Sequence, residues 1–194
     1  MSFIARALVA VAFLAMAGPA SAHTVLGVTG FTGGLLHPLL VPTHLMAVAA
    51  LALLIGQQGW GYGAACSYAA AIVVGLGVIA LAYVPTRAEQ GLLVLAAVIG
   101  FLVALERRLP PIAGLQFAAA VGFALALDSP PEAISVGEAN LALLGTALGA
   151  PVVLLALMWL AKHLTRAWQR IGTRIVGSWI AASAALVLAL RLVR

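Results

Sequence analysis

The segment GGLLHPLLVPTHLMA, residues 33–47, places two histidines and two prolines in an otherwise apolar run. An apolar run of this kind is typical of a membrane-spanning helix, because lipid offers no hydrogen-bond partners to polar groups. Ionisable residues inside such a helix face the interior of a helix bundle and often mark a transport path. His37 and His44 therefore indicate where a function of this chain would reside.

The whole chain shares this apolar character. Of its 194 residues, 64% are hydrophobic and only 8% are charged, whereas a soluble domain is about half apolar and a quarter charged. The composition predicts an all-α, polytopic membrane protein embedded in a lipid bilayer. Lys and Arg lie in short loops, where they usually record membrane topology, so no nucleic-acid partner is expected. The single cysteine, Cys66, excludes an intrachain disulfide framework.

Residues 1–22 have the features of a cleavable signal peptide. Arg6 precedes a short apolar core, and the tripeptide Ala20-Ser21-Ala22 gives the small-x-small pattern of a cleavage site. Cleavage after Ala22 would make His23 the mature N-terminus, and its amine and imidazole together form a candidate capture site for a metal ion; a solvated residue beside the cleavage site is the other interpretation of His23. An uncleaved signal anchor is the alternative. A secretory signal on such a chain predicts the bacterial inner membrane, with the mature N-terminus in the periplasm.

Six apolar segments follow, and we interpret residues 23–194 as one transmembrane domain of about six helices. The segments are Leu35–Ile55, Ala64–Val84, Gly91–Leu105, Ile112–Leu127, Leu141–Ala161 and Ile175–Leu190. The third and fourth are short for spans, which need about 20 residues. With the N-terminus outside, the cytoplasmic loops hold six Lys and Arg residues and the outer segments three, as the positive-inside rule requires. This topology also places the C-terminus in the periplasm.

His37 and His44 are seven residues apart and would project from nearly the same face of a helix. On a straight helix they would lie about 10 Å apart along the axis, too far for one metal ion to bind both rings. Pro38 and Pro42 are expected to kink or unwind the helix and leave carbonyls free near the imidazoles, with the Thr43 hydroxyl beside them. Imidazole suits nickel, copper, zinc and iron. The alternative is that each histidine bonds a carbonyl on a neighbouring helix.

Other residues predict packing rather than chemistry. Gly145 and Gly149 are four apart in the fifth segment, a spacing that lets helix backbones approach closely. Asp128, Glu132 and Glu138 form an acidic segment that we interpret as a solvated loop at the outer surface; the alternative is that it attracts cations there. The sequence contains no Walker loop, nucleophile elbow or HExxH motif, so nothing in it favours an enzyme.

The stretches His37-Pro38-Leu39 and Thr43–Ala47, which follow a signal peptide that ends AHT, resemble the HupE/UreJ family. That family carries a motif of about HPLxGxDHxLAM near its first span. Its members are small bacterial membrane proteins, found with hydrogenase and urease genes and regarded as nickel permeases or metallocentre accessory proteins. This chain has Thr43 where the motif has Asp, and it has no counterpart of the family's His-rich segment near the fourth span. The resemblance therefore carries over to His37 and His44 alone.

The resemblance implies a permease or accessory protein for a divalent transition metal, with nickel as the candidate ion. The ion would be cargo rather than a tightly bound cofactor, and metalloenzyme maturation proteins or a second copy of the chain are the candidate protein partners. Two other functions fit the residues. The chain could be a non-transporting scaffold within a larger complex, or a small-solute transporter that uses the histidine pair for proton coupling.

Overall fold

A computed structural model describes residues 29–81, 87–130 and 135–193 of the chain. This part folds into seven α-helices and contains no strands, so the all-α prediction is confirmed. The helices are α1 Gly30–Leu40, α2 Pro42–Gln58, α3 Gly63–Ala80, α4 Ala88–Leu105, α5 Pro111–Leu127, α6 Val136–Lys162 and α7 Ala167–Val193. The predicted signal peptide and His23 lie outside the described residues.

The helices match the six apolar segments, but fewer of them meet the length expected of a span. Within the described ranges, α3, α4, α6 and α7 are long and apolar enough to cross a membrane, and α1 with α2 forms a fifth candidate that is bent at a break. Helix α5 has 17 residues and is shorter. The described part therefore supports four to five candidate spans, and shows a multi-pass membrane protein.

Helix α4 begins at Ala88, three residues before the segment predicted from the sequence. Glu89 lies in its first turn, where a negative charge interacts favourably with the helix dipole. The Glu89 carboxylate also accepts a hydrogen bond from Arg191 of α7 at 2.9 Å. The apolar segment predicted from hydropathy began after Glu89, because that residue is charged. The folded helix stabilises this charge, so the predicted segment was too short.

Helix α2 is the centre of the bundle. It packs against α1, α4, α5, α6 and α7, and Leu51, Leu54 and Ile55 are fully buried. In lipid there is no hydrophobic driving force between helices, so the van der Waals packing of these buried side chains is what mainly holds the helices together. Helix α2 as a whole is consequently held by five neighbouring helices.

Gly145 and Gly149 place α6 directly against α1. A Cβ on Gly145 would overlap the carbonyl oxygen of Phe31, and a Cβ on Gly149 would overlap that of Leu35. Both obstacles are backbone atoms, which cannot move aside as a flexible side chain can. The pair of glycines thus allows the two helices to touch backbone to backbone, the close approach that small residues permit in membrane proteins.

One hydrogen bond fastens this contact at a proline. Pro38 has no N–H to donate to the carbonyl of Gly34, four residues earlier in α1. The hydroxyl of Thr146 in α6 donates to that carbonyl at 3.3 Å. A backbone acceptor left open by the proline is therefore satisfied by the neighbouring helix, which fixes α1 next to α6.

Candidate functional site

The first apolar segment is broken between its two prolines. Helix α1 ends at Leu40, Val41 has extended backbone angles, and α2 begins at Pro42. The two helices are bent by 64°. Pro38 stays inside α1, whereas Pro42 occupies the first position of α2, where proline is favoured because that N–H has no helical partner. The sequence here therefore stops one helix and starts another instead of kinking a single one.

The bend brings the two histidines together. His37 lies in the last turn of α1 and His44 near the start of α2. Their ring centroids are 4.8 Å apart, with the rings at 76° to each other. A straight helix would have separated them by about 10 Å along its axis. The break thus converts a sequence spacing that is too long for one ion into a pair of adjacent imidazoles.

His44 is fully buried, and a carboxylate holds one of its ring nitrogens. Its Nε2 donates a hydrogen bond to Oδ2 of Asp128 at 2.9 Å. Its Nδ1 is also buried and has no hydrogen-bond partner among the described residues. A carboxylate accepts hydrogen bonds and cannot donate them, so the proton belongs on Nε2 and a lone pair is left on Nδ1. Metal-binding histidines almost always donate their other ring N–H to a carboxylate, a backbone carbonyl or water, and Asp128 would fill that role here.

Asp128 corrects the interpretation of the acidic segment as a solvated loop. It is the residue that ends α5, and its side chain is only 21% exposed where it contacts His44. Glu138 lies in the first turn of α6 and is therefore part of a helix. Glu132 lies outside the described residues. Sequence reasoning missed Asp128 because 84 residues separate it from His44. Its place directly after a short apolar helix was the signal that could have found it.

Two contacts with α6 fix the depth of the site. Leu35 lies in α1, two residues before His37 and close to the start of α2, and it packs on Gly149. At the other end of α2, Gly56 packs on Ala161. Helices α2 and α6 therefore run in the same direction, with the histidines level with Gly149. Gly149 is about the midpoint of α6, one of the two longest helices, so the site is deep within the bundle.

The site brings together only part of an ordinary metal centre. In the described part of the chain, no three His, Cys, Asp or Glu side chains are grouped so that they could hold a metal ion. Thr43 and Ser129, the sequence neighbours of His44 and Asp128, are also buried, and the Ser129 hydroxyl donates to the carbonyl of Leu125 at 2.7 Å. Cys66 is exposed, and the ring of His163 packs on Trp159, so neither joins the histidine pair.

The model of the family described as "HupE / UreJ protein" matches residues 11–188, nearly the whole chain. The chain belongs to the HupE/UreJ family. Neither the curated proteins nor the solved structures with which it was compared gave a match. HupE/UreJ proteins are accessory or transport proteins, and membership together with the apolar helices fits a membrane protein that serves metal uptake.

The HupE/UreJ motif carries an Asp directly before its second histidine, and this chain has Thr43 there. The structure places a carboxylate at His44 all the same, from Asp128 on α5. A carboxylate is therefore present at the histidine pair of this HupE/UreJ protein, but it comes from another helix.

Proposed function

We propose that this HupE/UreJ protein carries a divalent transition-metal ion, with nickel the ion implied by the family, inward across the bacterial inner membrane. His37, His44 and Asp128 form the site that binds the ion on its way, and both mature termini are periplasmic. The observation that carries the proposal is the pairing of His44 with Asp128, which leaves a buried ring nitrogen beside the ring of His37.

The proposed ligands are the Nδ1 atom of His44 and a ring nitrogen of His37. Oxygen atoms complete the shell, from water and from carbonyls at the end of α1. One such carbonyl is that of Pro38. The residue four positions later, which would donate to it in a continuous helix, is Pro42, and proline has no N–H. An ion in transit must leave again, so two imidazoles with oxygen ligands suit a permease better than a closed cage of four side chains.

Charge compensation supports the same site. A divalent ion in an apolar interior requires negative charge nearby, because burial without it is very unfavourable. Asp128 supplies a carboxylate, and the C-terminal end of α1 supplies the partial negative charge of a helix end. Asp128 remains 21% exposed, which leaves an approach to the site from its side of the bundle. His23 is proposed as the capture group that an ion meets first.

The test is metal accumulation in cells that express the wild-type chain or a His37→Ala, His44→Ala variant at equal membrane levels. Nickel, cobalt, copper, zinc and iron are measured by mass spectrometry. We expect one metal to rise with the wild type and to return to the level of cells without the protein in the variant. His163→Ala is the matched control, because His163 contacts Trp159 away from the site, and it should accumulate metal as the wild type does.

Two results would contradict the proposal in different ways. Undiminished accumulation in the double variant would show that the histidines are not the ligands. No accumulation of any metal by the wild type would favour the scaffold, which should then co-purify with a stoichiometric partner. Proton-dependent uptake of another solute, insensitive to chelators, would favour the proton-coupled transporter.

A further inference from the structure

Tyr68 of α3 carries a second buried polar group that the histidine site does not use. The residue is fully buried, and its ring lies against Gly122 of α5, where an added Cβ would be 3.1 Å from Cδ2 of the ring. Its hydroxyl is buried too and has no hydrogen-bond partner among the described residues. Phenylalanine would fill the same space without burying an oxygen.

A buried hydroxyl without a partner lowers stability, because the group has lost its hydrogen bonds to water. Buried polar groups in native proteins are nearly always bonded, and each exception calls for an explanation. At Tyr68 the neighbouring packing offers none, since Gly122 makes room for the backbone carbonyl and one edge of the ring of Tyr68 and supplies no partner for the hydroxyl. A group that passes through the bundle would provide the missing partner.

The position of Tyr68 follows from α5. Gly122 precedes Asp128 by six residues, about 9 Å along a helix. Gly114, near the start of α5, packs on Trp60, which follows the end of α2. Helices α2 and α5 are therefore antiparallel, and the step from Asp128 to Gly122 leads away from the histidines towards the far end of α2.

A third polar atom lies at that far end. Gln57 follows His44 by 13 residues, about 20 Å along α2. Its amide nitrogen donates to the carbonyl of Val103 at 3.0 Å, while its Oε1 is buried without a partner among the described residues. The buried side chains of α2 in between, such as Leu51 and Leu54, are apolar. The ring of Tyr68 is thus at an intermediate depth between the histidine site and Gln57.

We propose that the hydroxyl of Tyr68 is a second binding station for the metal ion, between the histidine site and Gln57. This inference rests on the proposed function. The phenol oxygen is neutral, and it binds the ion through the water molecules of its hydration shell, as donor or acceptor. The station divides the apolar stretch between the histidine site and Gln57, which a hydrated divalent ion must cross, into two steps of about 10 Å each.

The test measures uptake by the Tyr68→Phe variant of the metal that the wild type accumulates. Tyr62→Phe is the matched control, because Tyr62 is exposed. The initial uptake rate of Tyr68→Phe should fall about tenfold, the effect of losing one hydrogen bond to a charged species. The dissociation constant of the histidine site for the same metal, measured on the purified full chain, should be unchanged, because His37, His44 and Asp128 are intact. The temperature of thermal unfolding should not fall, since no protein hydrogen bond is removed.

Wild-type uptake by Tyr68→Phe would overturn the inference and leave the histidine site standing. A lower unfolding temperature in parallel with lower uptake would also overturn it, because the hydroxyl would then be a structural group. If the wild type accumulates no metal, the proposed function fails and this inference fails with it. Slower uptake with unchanged binding and stability would support the station.

Discussion

Replacing Asp128 by Asn is expected to lower metal uptake by about 10- to 100-fold, the usual effect of removing the partner that orients a metal-binding histidine. The carboxylate keeps the proton of His44 on Nε2. An amide can instead donate its own N–H to Nε2, which would move the histidine proton to Nδ1 and block the proposed ligand atom. The variant also removes the negative charge that stabilises a divalent ion. Uptake at fixed expression level is the measurement.

A double-mutant comparison shows whether Asp128 acts through His44. If Asp128 acts mainly by orienting His44, adding Asp128→Asn to a His44→Ala variant should reduce uptake by a much smaller factor than it does in the wild type, and the factor that remains measures the loss of negative charge. Glu138→Gln is the matched control, because Glu138 loses a charge at the start of α6 without contacting His44. Independent, multiplicative losses from the two changes would mean that Asp128 does not position the histidine. An equal loss in Glu138→Gln would point to surface charge instead.

The sequence predicted the helices far better than it predicted their lengths. Apolar runs and proline and glycine boundaries located every helix of the described part, because lipid demands long apolar helices. The start of α4 was misplaced by three residues, since an ion pair between Glu89 and Arg191 stabilises a charge that hydropathy counts against a helix. Interactions between segments that are distant in sequence do not appear in the hydropathy averaged over neighbouring residues.

The candidate site was predictable in its first half only. His37 and His44 stood out as imidazoles in an apolar run, and two prolines indicated a break. Proline chemistry does not specify a bend angle, however, and the 64° bend is what brings the rings to 4.8 Å. Asp128 was out of reach, because its contact with His44 depends on how α5 packs beside α2. Local patterns thus identified the two proposed ligands but not the carboxylate that contacts one of them.

The packing of α1 on α6 links the fold to the site, because α1 carries His37. Replacing Gly149 by Ala should therefore lower the free energy of unfolding by about 3 kcal/mol, the upper end of the cost of overpacking a tight contact. The new Cβ would overlap the carbonyl oxygen of Leu35, and α1 could relieve the overlap only by moving away. Such a movement would shift His37, two residues further on, so uptake should fall with stability. Thermal unfolding and metal uptake measure the two effects.

Gly77→Ala separates this explanation from a general intolerance of side chains at glycine positions. Gly77 lies within α3, and apart from the adjacent backbone of its own helix an added Cβ there would have no atom within 4 Å. Alanine at such a position should raise stability by up to about 1 kcal/mol, because it favours the helix over glycine. Equal losses in both variants would contradict a specific contact between α1 and α6. A stable Gly149→Ala protein with normal uptake would show that α1 can move without disturbing the histidine pair, and the site would then tolerate a wider range of bends than the one observed.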